Sequence, residues 1–537
     1  MVTQFLPARP LDGPLWEHRL VEPIRFRDRL LLFALIAAGI VAILRLANWW
    51  FRTEHVADPV LYILLSLAFW YGISRIAVEW FNMLAVARPE ERSAPEGLRV
   101  AIFTTSSPGE PLSMFEKTLQ ACAQIRYPHT TYLLDDTQDP RFRKVAERHG
   151  AVWLELVGLP GAKAGKINQA LKVTGEEFIL VLDPDHIPFP NILDRVLGYF
   201  DDRQTGFVQI SQAYYNQARS FVARGAAEQT YMFYGPILMG LFGHGASLAI
   251  GANCTFRRSA LESIGGHGIG LAEDMVTAIR LHSAGWRSVY VPEILSRGLV
   301  PEDLGSFTKQ QLKWARGVYE ILFAELPGLF SGLTWRQRVS YLTIGTYYLC
   351  GVTTLIYLLI PYLYLWSGMQ PASMPFEGFL TTLVPVGGIG LLVYLFGQRW
   401  LCHPEMERGL HWRGLMLKIG CWPVYVVGTL SAIFRKTIPY IPTAKEARRG
   451  RFLRLAWPHL MFLALYVASL LQVIDTRMTS TSEGALMLTA EAVWGMVGFA
   501  SMSVFMISGV LYAAWEARKP PQGFAWDDVE IKTIKRS

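Results

Sequence analysis

Two aspartates two positions apart, Asp183 and Asp185, stand just after the uninterrupted apolar run at 178–182. Carboxylates at i and i+2, on a turn that ends a buried strand, can share one hard cation. A cation held there can neutralise a diphosphate leaving group. His186 adjoins that site. A second acidic pair, Asp135-Asp136, ends the apolar run at 131–134 in the same manner; a carboxylate there can accept hydrogen bonds from a base or a ribose. Lys163-Ala164-Gly165-Lys166-Ile167-Asn168 opens a helical pattern behind the Gly/Pro-rich stretch 158–161. A helix N-terminus carrying a lysine attracts anions. Glu273-Asp274 follows the glycine-rich stretch 265–270, and a carboxylate at a helix start can act as general base on a hydroxyl. Gln310-x-x-Lys313-Trp314 puts an amide, a cation and an indole within about one and a half helical turns. The indole face suits a sugar ring and the ammonium suits a phosphate.

Each of these features also has a plain structural use. Asp and Pro favour turns, acidic residues favour the first turn of a helix, and Trp with basic neighbours suits a membrane interface. Their joint occurrence, at the ends of successive strands and then on a helix beside a membrane, is what points to chemistry.

The elements that must position them alternate between strand and helix over residues 94–298. Strands are expected at 99–104, 131–134, 151–155, 178–182, 247–256 and 288–291, and helices at 114–124, 141–149, 163–173 and 271–284. This alternation predicts an α/β domain with a mostly parallel sheet and helices on both faces. Ligands in such sheets sit at the carboxyl ends of the strands, where both acidic pairs fall.

Around this domain the chain is built for a membrane. Of its 537 residues 51% are hydrophobic and 18% charged, and the net charge is +7. In a membrane protein that excess reports basic cytoplasmic loops rather than nucleic-acid binding. Runs at 30–50, 59–84, 341–366, 379–396, 455–474 and 493–515 are apolar enough to cross. Residues 221–243 and 304–322 read as interfacial helices. The run 415–434 is long enough to span, but the loop 435–454 behind it carries seven basic residues. Such a loop belongs in the cytoplasm, and Pro423 interrupts the run, so 415–434 is expected to lie at the interface or re-enter. Six spans put both termini in the cytoplasm. The expected domains are 1–93 (N-terminal segment and two spans), 94–335 (the α/β domain), 336–518 (a channel region) and 519–537 (a cytoplasmic tail). The N-terminal stretch does not read as a cleavable signal. Five scattered cysteines form no C-x-x-C pair, which argues against a zinc site or a disulfide framework.

In this order, Asp136, Lys163 to Asn168, Asp183-x-Asp185, Glu273-Asp274 and Gln310-x-x-Lys313-Trp314 resemble the membrane-integrated family 2 glycosyltransferases, the group of cellulose, curdlan, chitin and hyaluronan synthases. The resemblance covers residues 99–317 closely and the membrane region in general plan. It implies a GT-A (Rossmann-like) cytoplasmic domain joined to about six transmembrane helices and interfacial helices. It further implies that Asp136, with Asp135 beside it, binds the uridine and that Lys163 and Asn168 lie along the nucleotide. By the same resemblance, Asp183 and Asp185 would hold the diphosphate and Mg2+ or Mn2+, Asp274, next to Glu273, looks like the catalytic base, and Gln310, Lys313 and Trp314 look like the acceptor end of a channel. Residues 440–445, with Thr443 and Lys445, resemble a gating loop over the nucleotide.

Lys313 stands where the family usually has Arg, Ala272 where it has Thr, and Ile250-Gly251-Ala252-Asn253-Cys254 where cellulose synthases have an aromatic-Cys-Gly stretch. No cyclic-dinucleotide-binding domain is expected after the last span. The resemblance implies processive, inverting polymerisation of UDP-glucose with secretion through the protein's own channel, and the departures weigh against a standard bacterial cellulose synthase and for another linkage, a β-1,3-glucan of the curdlan type first. The alternatives are cellulose or another β-linked polymer made from a different UDP-sugar, or single transfer to a lipid acceptor. The expected partners are the UDP-sugar, the growing polysaccharide, membrane lipids and accessory secretion proteins, at the inner membrane. A transporter is disfavoured because the spans read as nearly free of ionisable residues.

Overall fold

In a computed structural model of the chain, the residues described are 24–436, 450, 452–479, 490–518, 526 and 529. Their centre is an eight-stranded sheet built from β1 (Val100–Thr105), β2 (Thr130–Asp135), β3 (Val152–Glu155), β4 (Phe178–Leu182), β5 (Ile187–Pro188), β6 (Thr205–Tyr214), β7 (Cys254–Arg257) and β8 (Arg287–Gly298). The strand order is β3-β2-β1-β4-β7-β6-β8-β5. Strands β1 to β4 pair in parallel, as do β6 and β8, whereas β7 is antiparallel to both β4 and β6, and β5 to β8.

Alternation along the strands fills both faces. In β1, Val100 and Ile102 join one apolar cluster with Ile192, Val196 and Phe200, while Ala101 and Phe103 join another with Ile167, Ala170, Ala278 and Leu281. The near-continuous apolar runs of β1 and β4 follow from this burial on both sides.

The sequence expectation of a mostly parallel sheet holds for strand direction but not for every neighbour, because β7 enters reversed between β4 and β6. The strand expected at 247–256 begins only at Cys254. Gly251 and Asn253 take φ of +47° and +60°, which strand pairing does not tolerate. The ten-residue β6 was missed, and the last strand runs well past 288–291 to Gly298.

Among the described residues, six helices are long and apolar enough to cross a membrane: Phe26–Trp50, Pro59–Leu84, Trp335–Ser367, Phe376–Trp400, Leu453–Asp475 and Ala492–Glu516. The 415–434 run does not form one straight helix. It splits into Trp412–Gly420 and Trp422–Ile433, bent by 47°, with Pro423 in the first turn of the second piece. The 221–243 segment is likewise broken, at Gly235 ahead of Pro236. One expectation needs correction, since Pro59–Leu84 carries Arg75 and Glu79. Arg75 donates from Nη1 to the carbonyl of Thr343 at 2.5 Å and lies over the Tyr347 ring, so its charge faces other helices rather than lipid, as a membrane charge must.

Close approaches tie the domain to these helices. Glu228 on the helix Phe221–Met232 accepts from the backbone N–H of Gly414, at the start of Trp412–Gly420, at 3.0 Å, and from Arg413 at 3.1 Å. At Gly243 a Cβ would fall 1.7 Å from the carbonyl oxygen of Ala85. Gly243→Ala is therefore expected to destabilise the purified protein by about 1–3 kcal/mol, read as a lower melting temperature in detergent. Gly175→Ala, with nothing within 4 Å of the new Cβ, is the matched control and should not lower it.

Candidate active site

Register along the parallel strands brings the chemistry together. Thr105 of β1 pairs with Leu134 of β2, and Thr104 with Leu182 of β4. Ser106, Asp135-Asp136 and Asp183 therefore leave the sheet side by side at its carboxyl edge. The reversed β7 starts at the same edge, because Cys254 pairs with Val181, and this brings in Gly251.

At the centre is Lys163, in the first turn of the helix Ala162–Val173 and buried. Its ammonium donates to Asp183 Oδ1 and to the carbonyl of Gly251. Burial works against its charge, but the carboxylates of Asp183, Glu273 and Asp274 outweigh burial and hold it above the usual lysine range. Gly251 is presented by a buried amide: Gln209 accepts from the N–H of Ile250 at 2.9 Å and donates to the carbonyl of Ala252 at 3.0 Å. On the other side of Gly251, a Cβ would lie 3.3 Å from Asp274 Oδ2.

Glu273 and Asp274 open the helix Glu273–Ser283. Burial pushes both carboxyls above the ordinary carboxylate range, and Asp274 raises Glu273 further. Lys163 and Lys313 oppose this rise in both, so Lys313 belongs to the same cluster. The helix Leu304–Glu320 that carries Lys313 reaches it because Gly317 abuts the turn before Glu273, where a Cβ would lie 2.8 Å from that of Ala272. Trp314 is 39% exposed beside Lys313 and Gln310 is half-buried. The neighbouring Gln311 is buried and accepts from the hydroxyl of Tyr425 at 2.9 Å.

Asp183, Asp185 and His186 could together hold a cation. Ligand atoms of Asp183, Asp185 and His186 all lie within 4.8 Å of one another. Two carboxylates suit a hard dication. His186 is set by packing, since a Cβ at Gly298 of β8 would fall 2.4 Å from its ring. Thr118 donates to the carbonyl of Pro184 at 2.5 Å and fixes the turn between the two aspartates.

Other expected site residues are placed differently. Asp135 is almost fully buried, and the chain's own donors surround its carboxylate: the hydroxyl of Ser106, the N–H and hydroxyl of Thr137 at 3.0 and 2.8 Å, and Trp153 Nε1 at 2.9 Å. Asp136 is the more open of the pair; it accepts from the N–H of Gly158 at 3.1 Å and lies 3.7 Å from Lys166 Nζ. Asn168 grips the glycine-rich stretch, donating to the carbonyl of His267 at 2.9 Å and accepting from its N–H at 2.6 Å. Thr443 and Lys445 lie outside the described residues. Sequence reasoning missed Lys166, which donates to the carbonyl of Ser106 at 2.5 Å and whose ammonium burial pulls down. Its place one turn after Lys163 was the available signal.

Residues 178–394 match the family described as "Glycosyl transferase family group 2". The match begins at the strand that presents Asp183. Among curated proteins, the chain is homologous to cellulose synthases. It is 29% identical over 344 residues to the putative cellulose synthase 2 of Komagataeibacter xylinus, covering 62% of this chain and 22% of that protein. It is 29% identical over 326 residues to the UDP-forming cellulose synthase catalytic subunit of Komagataeibacter sucrofermentans, covering 58% and 43%, and 27% identical over 364 residues to that of Pseudomonas fluorescens, covering 64% and 48%. The chain thus spans half or less of the length of these relatives. Among solved structures, a mannosyltransferase from Pyrobaculum calidifontis aligns with a TM-score of 0.46 at 16% identity, covering 70% of this chain and all of that one.

The charge balance predicts a pH profile. A carboxyl raised by burial stays protonated to higher pH, so any reaction that needs Glu273 or Asp274 ionised is expected to fall on the acid side through a range above that of ordinary carboxylates. Lys313→Gln removes a cation that favours the ionised forms and should move this limb to higher pH, measured as the pH dependence of nucleotide release.

Proposed function

We propose that the chain is a processive, inverting β-glycosyltransferase that polymerises glucose from UDP-glucose and passes the product through its own membrane helices. The observation that carries this reading is the convergence of Lys163, Asp183, Glu273, Asp274 and Lys313 at the carboxyl edge of the sheet. The helix that supplies Lys313 packs directly on Trp422–Ile433.

In the reaction so read, Asp274 removes the proton of an acceptor hydroxyl as that oxygen attacks the anomeric carbon. UDP leaves from the opposite face, giving inversion in one displacement. A carboxyl raised by burial, as that of Asp274 is, is a stronger base than an ordinary exposed carboxylate. Lys163 and Lys313 face the developing negative charge of the departing diphosphate. Asp183 and Asp185, with His186 beside them, would hold Mg2+ or Mn2+, which when bound neutralises diphosphate charge. Asp136 and Lys166 border the end of the cleft that would take the uridine. Trp314 offers its exposed face to the terminal sugar of the acceptor.

The sequence departures favoured a β-1,3-glucan, but the named relatives are cellulose synthases, and they move the preferred product to a β-1,4-glucan. The basic loop 435–454 and the arginines before 30 and after 84 support a cytoplasmic catalytic domain and cytoplasmic termini. A cytoplasmic 435–454 is also what the proposed gating loop, with Thr443 and Lys445, requires, and the proposed domain divisions stay at residues 93, 335 and 518. The growing polymer, membrane lipids and accessory secretion proteins are the proposed partners.

Membranes carrying the protein, incubated with UDP-glucose, are expected to yield polymer digested by an endo-β-1,4-glucanase and resistant to an endo-β-1,3-glucanase. The reverse pattern restores the curdlan-type product. Asp274→Asn is expected to slow UDP release by about 10²- to 10⁴-fold while UDP binding persists; near-normal turnover would refute the assignment of the base.

A further inference from the structure

The turn that carries the cation-binding aspartates is held from outside the site by residues that none of the sequence motifs touch. Thr118, on the helix Leu112–Cys122, is fully buried and donates to the carbonyl of Pro184, between Asp183 and Asp185. Ile187, directly after His186, sits in one apolar cluster with Met114 and Phe115 of that same helix and with Phe142. Two residues from beyond the last membrane helix complete the cluster: Trp526, 4% exposed, and Val529, 5% exposed. Lys117 donates to the carbonyl of Val529 at 3.3 Å. The chain is also anchored where it leaves the membrane, because Glu516 accepts from the backbone N–H of Phe221 at 2.8 Å.

We infer that Trp526 and Val529 are positioning residues for the cation site: they seat the helix Leu112–Cys122, which through Thr118 and Ile187 fixes the Asp183–Ile187 turn. Tryptophan is a large and stiff anchor, and packed interiors pass small displacements on rather than absorbing them. With Trp526 removed, the helix loses one wall of its apolar seat, and Thr118 no longer holds Pro184 at one place. Asp183 and Asp185 then present their oxygens over a wider range of separations, which weakens a shared cation. The inference rests on the proposed role of those two aspartates as cation ligands.

The test uses the full chain in detergent and follows Mn2+ binding in the presence of UDP by electron paramagnetic resonance, alongside UDP release from UDP-glucose. Trp526→Ala is expected to weaken Mn2+ binding by about 10-fold, the lower end of what lost outer-shell support costs a metal site. It should raise KM for UDP-glucose more than it lowers kcat. Trp526→Phe should recover most of the loss. Thr118→Val, which keeps shape and removes only the hydroxyl, should reproduce it and serves if Trp526→Ala does not fold. Wild-type Mn2+ affinity and KM in both Trp526→Ala and Thr118→Val would overturn the inference, as would a wild-type protein that binds no Mn2+ with UDP. A wild type that binds Mn2+ but transfers no glucose would overturn the proposed reaction, while the Mn2+ titrations would still decide the role of Trp526.

Discussion

The site depends on one buried charge and its partners. A lysine ammonium removed from water is costly unless it is paired and hydrogen-bonded. Lys163 meets that demand with the Asp183 carboxylate and the Gly251 carbonyl, in the field of Glu273 and Asp274. These groups come from the end of β4, the loop before β7 and the helix after the glycine-rich stretch. The same charge that offsets their repulsion holds three separate segments of the chain against one another. It also opposes the rise that burial imposes on the Asp274 carboxyl.

The membrane side is joined to this cluster by one helix and a set of small residues. On Leu304–Glu320, Gly317 rests on Ala272, and Ala315 sits opposite Gly428, where a Cβ would come 3.0 Å from its own. Gln311 takes a hydrogen bond from Tyr425, and Tyr319 shares one with Thr429 at 2.8 Å. Small residues let backbones approach closely where lipid gives no hydrophobic drive for helices to associate, and hydrogen bonds then set the register. Lys313 is thereby presented to the carboxylates by a helix whose opposite face is bonded to Trp422–Ile433. A displacement of that bent pair would be felt at the cluster.

Much of this was legible along the chain. The β4 run with its Asp183-x-Asp185 turn stands in the structure at the expected residues, because a strand buried on both faces must be apolar throughout and must end where polar groups begin. The break in 415–434 was readable from Pro423 and from the basic residues behind it. The two-residue β5 and the long β6 were not. The first is too short to carry a pattern, and the second mixes polar Gln209 and Ser211 into a buried strand, because Gln209 is spent on the loop that presents Gly251.

Sequence by itself determined which residue types stand at the strand ends and which runs are apolar enough to cross a membrane, since both are properties of local order and periodicity. Only the tertiary structure decided their employment. Asp135 is filled by Ser106, Thr137 and Trp153, and Asn168 is occupied in clamping His267. Gly251, which stands out in the sequence only within a stretch that departs from the cellulose-synthase pattern, supplies a carbonyl to the central lysine. Most of these partners come from other segments of the chain, up to 99 residues away for Asn168 and His267, and spacing within a segment does not record them.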